Sequence, residues 1–453
     1  MKKRKQIYSV KAIQDLAAGT KIKMRKQLNA DSMFTQIRRD FDKVADHRAS
    51  NSKIPLGDIL MSAFAMFSLK DPSLLAFDKR RCDDPESLHG VYGIGIIPCD
   101  SQMRVGLDPV SPDYLRQPFL TLFQTAQRGK ALEKFKYLDG YYLLALDGTG
   151  IYSSENVSSN YCLGKRKRNG KTEYYQQLLG AAIVSTKYKE VVPLCPEMIE
   201  KQDGSKKQDC ERNATRRWLE KFRKEHPHLK CIVIEDGLSS NGPHIKNLKE
   251  HDLRFILGAK EKDHTHLFEQ MDEALSTGEA EEFSSTRADK SGITDTFRFV
   301  NGVELNKSHP GLLVNMLEYW QVDADGKELH FTWVTDLQLD CDNVKDIMLA
   351  GRARWRIENE TFNTLKNQGY NLGHNYGLGK KHLSAVFSHL MMLAFLVDQI
   401  QQLCCPLFNA AWQECGSKRY LWESVRGTFK SCIVPSMEVI LRVIMTNMKI
   451  RLL

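Results

Sequence analysis

Tyr141-Tyr-Leu-Leu-Ala-Leu-Asp147-Gly-Thr-Gly150 is the stretch on which the reading of this chain turns. Its apolar run, 141–146, reads as a buried strand. Asp147 ends that run and small residues follow. The pattern recurs in Cys231-Ile-Val-Ile-Glu235, where Asp236 and Gly237 follow a second apolar run. A third acid, Glu358, lies in Arg354-Trp-Arg-Ile-Glu358, which opens a helical pattern. A lone Asp-Gly after a strand is commonly just a turn. Two of them at strand ends, with an acid on a later helix, form a set able to hold two divalent cations. Hard cations take oxygen ligands, and a metal pair stabilises both the attacking and the leaving oxygen at a phosphodiester.

The third acid has a rival in Glu360. At 100° per residue, Phe362 and Leu365 fall within about 40° of Glu358, on the face that must pack on a sheet. Arg354 lies on that side too. Glu360 falls with Arg356, Asn363 and Asn367 on a polar face. A metal ligand belongs beside the core edge, which selects Glu358 and leaves Glu360 to pair with Arg356 or to touch nucleic acid.

Composition bounds the rest. The chain has 453 residues, 42% of them hydrophobic, so a folded protein of two to three domains is expected. Residues 1–50 hold 13 Lys/Arg against 5 Asp/Glu, a surplus of 8 within a net charge of +9. Such an arm suits nucleic-acid phosphates; a solvated tail is the plainer reading. The 11 cysteines include no Cys-x2-Cys pair, which argues against a zinc ribbon. Their odd number, with no signal peptide after the charged Met1-Lys-Lys-Arg-Lys5, suggests reduced thiols and a cytoplasmic location. The apolar stretch Leu390–Val397 reads as too short for a bilayer and as part of a buried helix.

Five regions follow from the periodicities. Residues 1–130 read as helical and basic, with an amphipathic helix over Asp31–Asp46 (Phe34, Ile37, Phe41, Val44) and a buried one over Ile59–Leu69 stopped by Asp71-Pro72. Residues 131–259 alternate strands (Tyr141–Leu146, Leu178–Ser185, Val191–Leu194, Cys231–Glu235, Phe255–Ala259) with helices (Cys210–Glu225, and one from Gly242). Residues 260–345 are polar with short alternating runs, a β-rich stretch in which Gly278–Ser291 reads as a loop. Residues 346–403 carry one helix over Arg352–Asn367 and a strongly apolar one over Leu383–Leu403. Residues 404–453 are helical again.

Other features are two-sided. Gly164-Lys165-Arg166-Lys167-Arg168-Asn-Gly170 reads as a hairpin tip laid on phosphates, or as a solvated turn. Trp333 is a base-stacking platform or an ordinary strand tryptophan. His374, in a Gly-rich loop with two lysines, can meet phosphate, but the loop lacks the Walker ending. His264 and His266 have alternate spacing without a second ligand pair. No Gly-x-Ser-x-Gly elbow occurs.

In their order and spacing, Asp-Gly-Thr-Gly, Ile-Glu-Asp-Gly and Arg-Trp-Arg-Ile-Glu resemble DDE transposases of bacterial insertion sequences. The resemblance covers roughly 140–400 and is closest to the group with a Y-x2-R-x3-E-x6-K signature around its last acid. Arg354-x3-Glu358 fits it. Gly351 stands at the tyrosine position and Leu365 at the lysine position, with Lys366 one residue late. The resemblance implies an α/β fold: a ribonuclease-H-like catalytic core interrupted by a β-rich insertion, with helical N- and C-terminal regions. It implies Mg²⁺ (or Mn²⁺) at Asp147, Asp236 and Glu358, and Arg354, Arg356 and Lys366 on phosphates. It also implies double-stranded DNA as partner, a homodimer at paired ends, no membrane, and a bacterial, nucleoid-associated setting. A metal-dependent nuclease or resolvase of that fold, or a non-catalytic transposon-derived DNA-binding protein, are the alternatives.

Overall fold

The computed structural model describes residues 22–199, 209–287 and 292–445. The basic Met1–Lys21 arm, and with it part of the expected phosphate-binding surface, lies outside the described residues. Within them the chain is mixed α/β. Twelve strands form one sheet, flanked by a large helical body.

The sheet grows from β2 (Tyr141–Ser154), whose run Tyr142–Leu146 is apolar and buried and whose start pairs with the two-residue β1 (Lys136–Tyr137). Sequence reading ended this strand at Leu146; in fact it continues through Asp147 to Ser154. Asp147 therefore sits inside a strand, opposite Gly180 of the antiparallel β4 (Thr172–Val184). Gly-Thr-Gly resembles a turn in sequence, but its backbone groups are already paired to β4, so the strand has no reason to stop. On the other flank β2 runs parallel to β7 (Cys231–Glu235), with Ala145 level with Ile234. β7 runs parallel to β8 (Arg254–Gly258). Helices α7 (Glu211–Glu225) and α8 (Gly242–Glu250) precede β7 and β8 in the chain, as parallel strands require a crossover. The short β5 (Val192–Pro193) and β6 (Glu197–Ile199) pair with β4.

The 260–345 stretch extends this same sheet. After α9 (Thr265–Thr277) come β9 (Glu281–Thr286), β10 (Thr294–Glu304), β11 (Leu313–Val322) and β12 (Glu328–Thr335). β12 pairs antiparallel with β8, placing Val334 opposite Leu257. The expected loop over Gly278–Ser291 contains β9. That strand is polar apart from Phe283, so it carries almost no hydrophobic signal; its pairing to β10 and the Phe283 ring stacked on Phe297 at 5.3 Å hold it in the sheet.

The helical body joins both ends of the chain. α1 (Ala30–Phe41) is capped by the Asn29 side chain, which accepts from Ser32 N at 2.9 Å, and buries Phe34, Ile37 and Phe41. α2 (Leu56–Ser68) is buried along its whole length. It packs against α12 (Leu383–Cys404), the sheet-side helix of the C-terminal part. The Asp31 carboxylate accepts from Met437 N (2.7 Å) and Glu438 N (2.9 Å), and so caps α15 (Met437–Met445). α3 to α6 (Leu74–Asp83, Pro85–Tyr92, Asp100–Leu107, Arg116–Arg128) complete the N-terminal part. α13 (Pro406–Cys415) and α14 (Lys418–Ser431) complete the other. Val191 N donates to Gln399 Oε1 at 3.0 Å, tying α12 to the sheet.

α12 corrects one expectation. It spans 22 residues, so it is long and apolar enough to cross a bilayer, the one such helix among the described residues. Its apolar surface is already covered: 94% of its most apolar window is buried in protein. The stretch after α10 (Val344–Arg352) corrects another. Arg352–Asn367 is not one regular helix. The chain turns at Ala353–Arg354 and widens into a π-helical segment, Ile357–Phe362, before α11 (Asn363–Asn367).

Candidate active site

Asp147 and Asp236 lie level on neighbouring parallel strands. Ala145 pairs with Ile234, so two residues further on the two aspartates stand side by side. Asp236 is the first residue beyond β7, and its Oδ1 accepts from Leu238 N at 3.0 Å, fixing the turn that ends the strand. Asp147 is held by its neighbour, Gly148 N donating to Oδ1 at 3.0 Å.

Three anchors lay the segment 354–366 across this point. Arg354 Nη1 donates to Asp147 Oδ2 at 3.3 Å. The Phe362 ring lies on Gly180, the residue paired with Asp147. A Cβ added there would come 2.6 Å from the ring, so only glycine admits this packing. Lys366 Nζ donates to Thr149 Oγ1 at 2.8 Å. Glu358 sits between the first and second anchors, and its charge reaches Asp147. Glu360 faces away and takes Arg356 at 3.3 Å. The pairing of Glu360 with Arg356 agrees with the sequence reading. The helical-wheel angles behind it do not apply as drawn, because the π segment shifts the register.

The electrostatics are those of crowded carboxylates. The Asp147 carboxyl is pushed up to about 6, first by burial, with Asp236 and Glu358 adding to the rise and Arg354 and the Gly148 N–H opposing it. A fourth acid, which sequence reading missed, joins them. Glu211, in the first turn of α7, rests its carboxylate on Gly148: a Cβ at 148 would stand 2.5 Å from Glu211 Oε2. Glu211 is pushed up to about 7, by burial and then by Asp147, Asp236 and Glu235. Glu235 itself is held by His244, 2.5 Å away. An acid in a first helical turn looks in sequence like an ordinary partner of the helix dipole; nothing in the pattern marks this one.

Does the donor set fit a divalent cation? Asp147, Asp236 and Glu358 offer only carboxylate oxygen, the donor type that Mg²⁺ and Mn²⁺ prefer. Their mutual repulsion raises Asp147, which is what a cation would relieve. Among the described residues no three acidic, His or Cys side chains stand gathered at ligand distance. Instead the Arg354 guanidinium supplies the positive charge at Asp147. The set fits a hard divalent cation in its donor chemistry.

The remaining sequence candidates separate. Lys165–Arg168 does form a hairpin, β3 (Leu163–Arg166) turning into β4. Lys165, Arg166 and Arg168 are exposed at its tip, whereas Lys167 is tied to Glu155 (2.9 Å) and Glu173 (3.3 Å). Trp333 is buried, 5% exposed, and stacks on Phe331 with centroids 5.7 Å apart. Its indole also fills the space that any side chain at Gly351 would need, which accounts for glycine there. His264 is buried with Nε2 on Ser240 Oγ at 2.8 Å, and His266 lies 3.9 Å from Glu269 and from Glu304. Neither gathers a metal set among the described residues. All eleven cysteines are free thiols.

Beside Asp236 opens a cavity of about 320 Å³, walled by Lys260, Arg352, Arg354, Phe331 and Trp355. The Arg354 guanidinium lies over the half-exposed Trp355 ring at 5.0 Å. A larger groove, about 840 Å³, runs between α1 and α6, with Lys26, Arg39 and Arg128 among glutamines 27, 117 and 124. No protein-family model matches the chain, and no curated protein matches it significantly.

Proposed function

We propose that this chain is a DDE-type DNA transposase, which cuts DNA at the ends of a mobile element and joins the freed 3′-hydroxyl to target DNA. One observation carries the reading. Asp147 on β2 and Asp236 just past the end of the parallel β7 stand level, and a segment pinned at Asp147, Gly180 and Thr149 carries Glu358 near enough for its charge to reach Asp147. We read β2, β4, β5–β6, β7 and β8 as a ribonuclease-H-like core and β9–β12 as its insertion. The strand order and directions support this: an antiparallel part followed by two parallel strands reached through helices.

Each residue then has a task. Asp147 and Asp236 would together hold one Mg²⁺ or Mn²⁺ and Glu358 a second, supplying the positive charge that activates the nucleophile and stabilises the leaving 3′-oxygen. Arg354 keeps Asp147 charged and oriented and stands ready for the scissile phosphate. Arg356 and Lys366 flank it. The cavity walled by Lys260, Arg352 and Trp355 offers cations and a ring face to a nucleotide next to Asp236. The groove between α1 and α6, with the exposed hairpin tip at Lys165, Arg166 and Arg168, offers surfaces for duplex backbone.

The test is excision from a plasmid carrying the coding region with its natural flanks. Asp147→Asn, Asp236→Asn and Glu358→Gln should each lower Mg²⁺-dependent cleavage by about 10³-fold or more while retaining DNA binding; Glu360→Gln should stay within about tenfold of the parent. Full cleavage by Asp147→Asn overturns the proposal. Joining of pre-cleaved ends to a target separates a transposase from a nuclease on the same core.

A further inference from the structure

A large cavity lies away from the acidic site. It measures about 1040 Å³ and lies between the β4–β5 loop at 187–190, the outer face of the 360–371 segment, and the N-terminus of α14. None of Asp147, Asp236 or Glu358 lines it. Its volume is at the upper end for small-ligand sites.

Its lining is cationic and aromatic. Lys187, Lys189, Lys418 and Arg426 face it, with Trp412 and Trp422. At its floor the buried Lys70 ammonium lies 2.6 Å from Asp398 and 4.0 Å from each of the Tyr370 and Trp422 ring centres. That cation is satisfied. The upper ones are not: among the described residues no carboxylate comes within ion-pair distance of Lys187, Lys189 or Lys418. Of the wall acids, Glu360 is taken by Arg356 and Glu423 by Arg419, at 3.3 and 3.1 Å. Glu190 is the wall acid without an ion-pair partner among the described residues, and Asp398, Glu360 and Glu190 oppose the Lys418 charge only from beyond ion-pair distance.

Lys418 sits at the positive end of the α14 dipole, next to Ser417, whose side chain accepts from Tyr420 N at 3.2 Å. α14 opens at this cavity with Lys418 and Arg419 in its first turn and no acid there. A helix N-terminus is the positive end of the backbone dipole, so cations there are destabilising and anions favoured. Lys418 is also partly buried, its ammonium 4.9 Å from the Trp412 ring centre, and burial lowers its pKa. Helix end, lysines and ring together complement a planar group that carries phosphate.

We propose that this cavity is a second ligand site, taking a phosphate-bearing ligand of nucleotide size, its phosphate at Lys187, Lys189, Lys418 and the α14 N-terminus and its base against Trp412. Two sources share that chemistry: a free nucleotide, and the end of a single DNA strand. The site uses none of the acidic residues, so it stands or falls apart from the transposase reading.

The probes are dAMP and a five-residue thymidylate, titrated by calorimetry against the full chain in EDTA. Both the Lys189→Gln and Lys418→Gln variants should weaken the bound probe by about tenfold or more, and Asp147→Asn should leave it unchanged. Lys189 is exposed, so that variant keeps its fold and keeps the test decisive. Binding of dAMP identifies the nucleotide source; binding of the oligonucleotide alone identifies the strand end. Binding of neither probe below millimolar concentration, or binding indifferent to both lysine substitutions, overturns the site.

Discussion

Glu211 and Asp147 are held at a cost to the fold. Both sit in partly buried positions beside other carboxylates, and both carboxyls are pushed up, to about 7 and about 6. The sign follows directly. An unfolded Glu releases its proton near 4.5, whereas folded Glu211 keeps it to about 7. Above pH 7 the native state therefore carries a burial cost, with carboxylate repulsion added, that the unfolded chain lacks, and the penalty fades as pH falls toward 4.5. Glu211→Gln should accordingly stabilise the metal-free protein by about 1–2 kcal/mol at pH 8 and by nearly nothing at pH 4.5, read from urea unfolding in EDTA. A gain that is the same at both pH values would mean that the acid is not under this strain. Asp147, Asp236 and Glu358 stand out in the sequence because each ends or interrupts an apolar pattern that must itself be buried. Glu211 was not, because the reason for its importance, contact with the Gly148 backbone, exists only after β2 and α7 have packed.

At the scale of elements, the segment 354–366 sets where Glu358 stands relative to Asp147. Its geometry rests on Phe362 against Gly180, an aromatic burial worth about 1.5–3 kcal/mol. Gly180→Ala should wedge the segment off the sheet. Cleavage is expected to fall about 10–100-fold and stability by about 1–3 kcal/mol. Gly164→Ala, whose added methyl would meet Thr172 at an ordinary 3.5 Å, serves as the control and should change neither. Equal activity in the two variants would contradict the role given to this packing. β7 was read at its true bounds because a five-residue apolar run between polar turns admits one interpretation. β2 was cut short because its apolar signal fades where the strand leaves the core, although its ladder continues. The π segment leaves no sequence trace, since one extra residue per turn depends on what the helix packs against.

Across the whole molecule, the two helical ends of the chain form one body whose central joint is ionic. Lys70, just after α2, and Asp398, on α12, are both almost fully buried and 2.6 Å apart. Tyr370 donates to the same carboxylate, linking the joint to the segment that follows α11. Asp398→Asn would strand the Lys70 charge and should cost about 3–5 kcal/mol in urea unfolding, and Lys70→Met with Asp398→Leu should recover most of it. A single variant as stable as the parent would show that the pair does not hold the body together. This long-range union was beyond sequence reading. Periodicity placed helices at both ends, while their contact depends on pairs hundreds of residues apart, such as Asp31 with the backbone of Met437 and Glu438.

The most direct test of the acidic centre is anomalous scattering from crystals soaked in Mn²⁺. The account expects one peak at ligand distance from both Asp147 and Asp236 and a second that includes Glu358, with the Arg354 guanidinium moved off Asp147. Peaks that leave Glu358 uncoordinated, or none at these carboxylates at millimolar Mn²⁺, would contradict it.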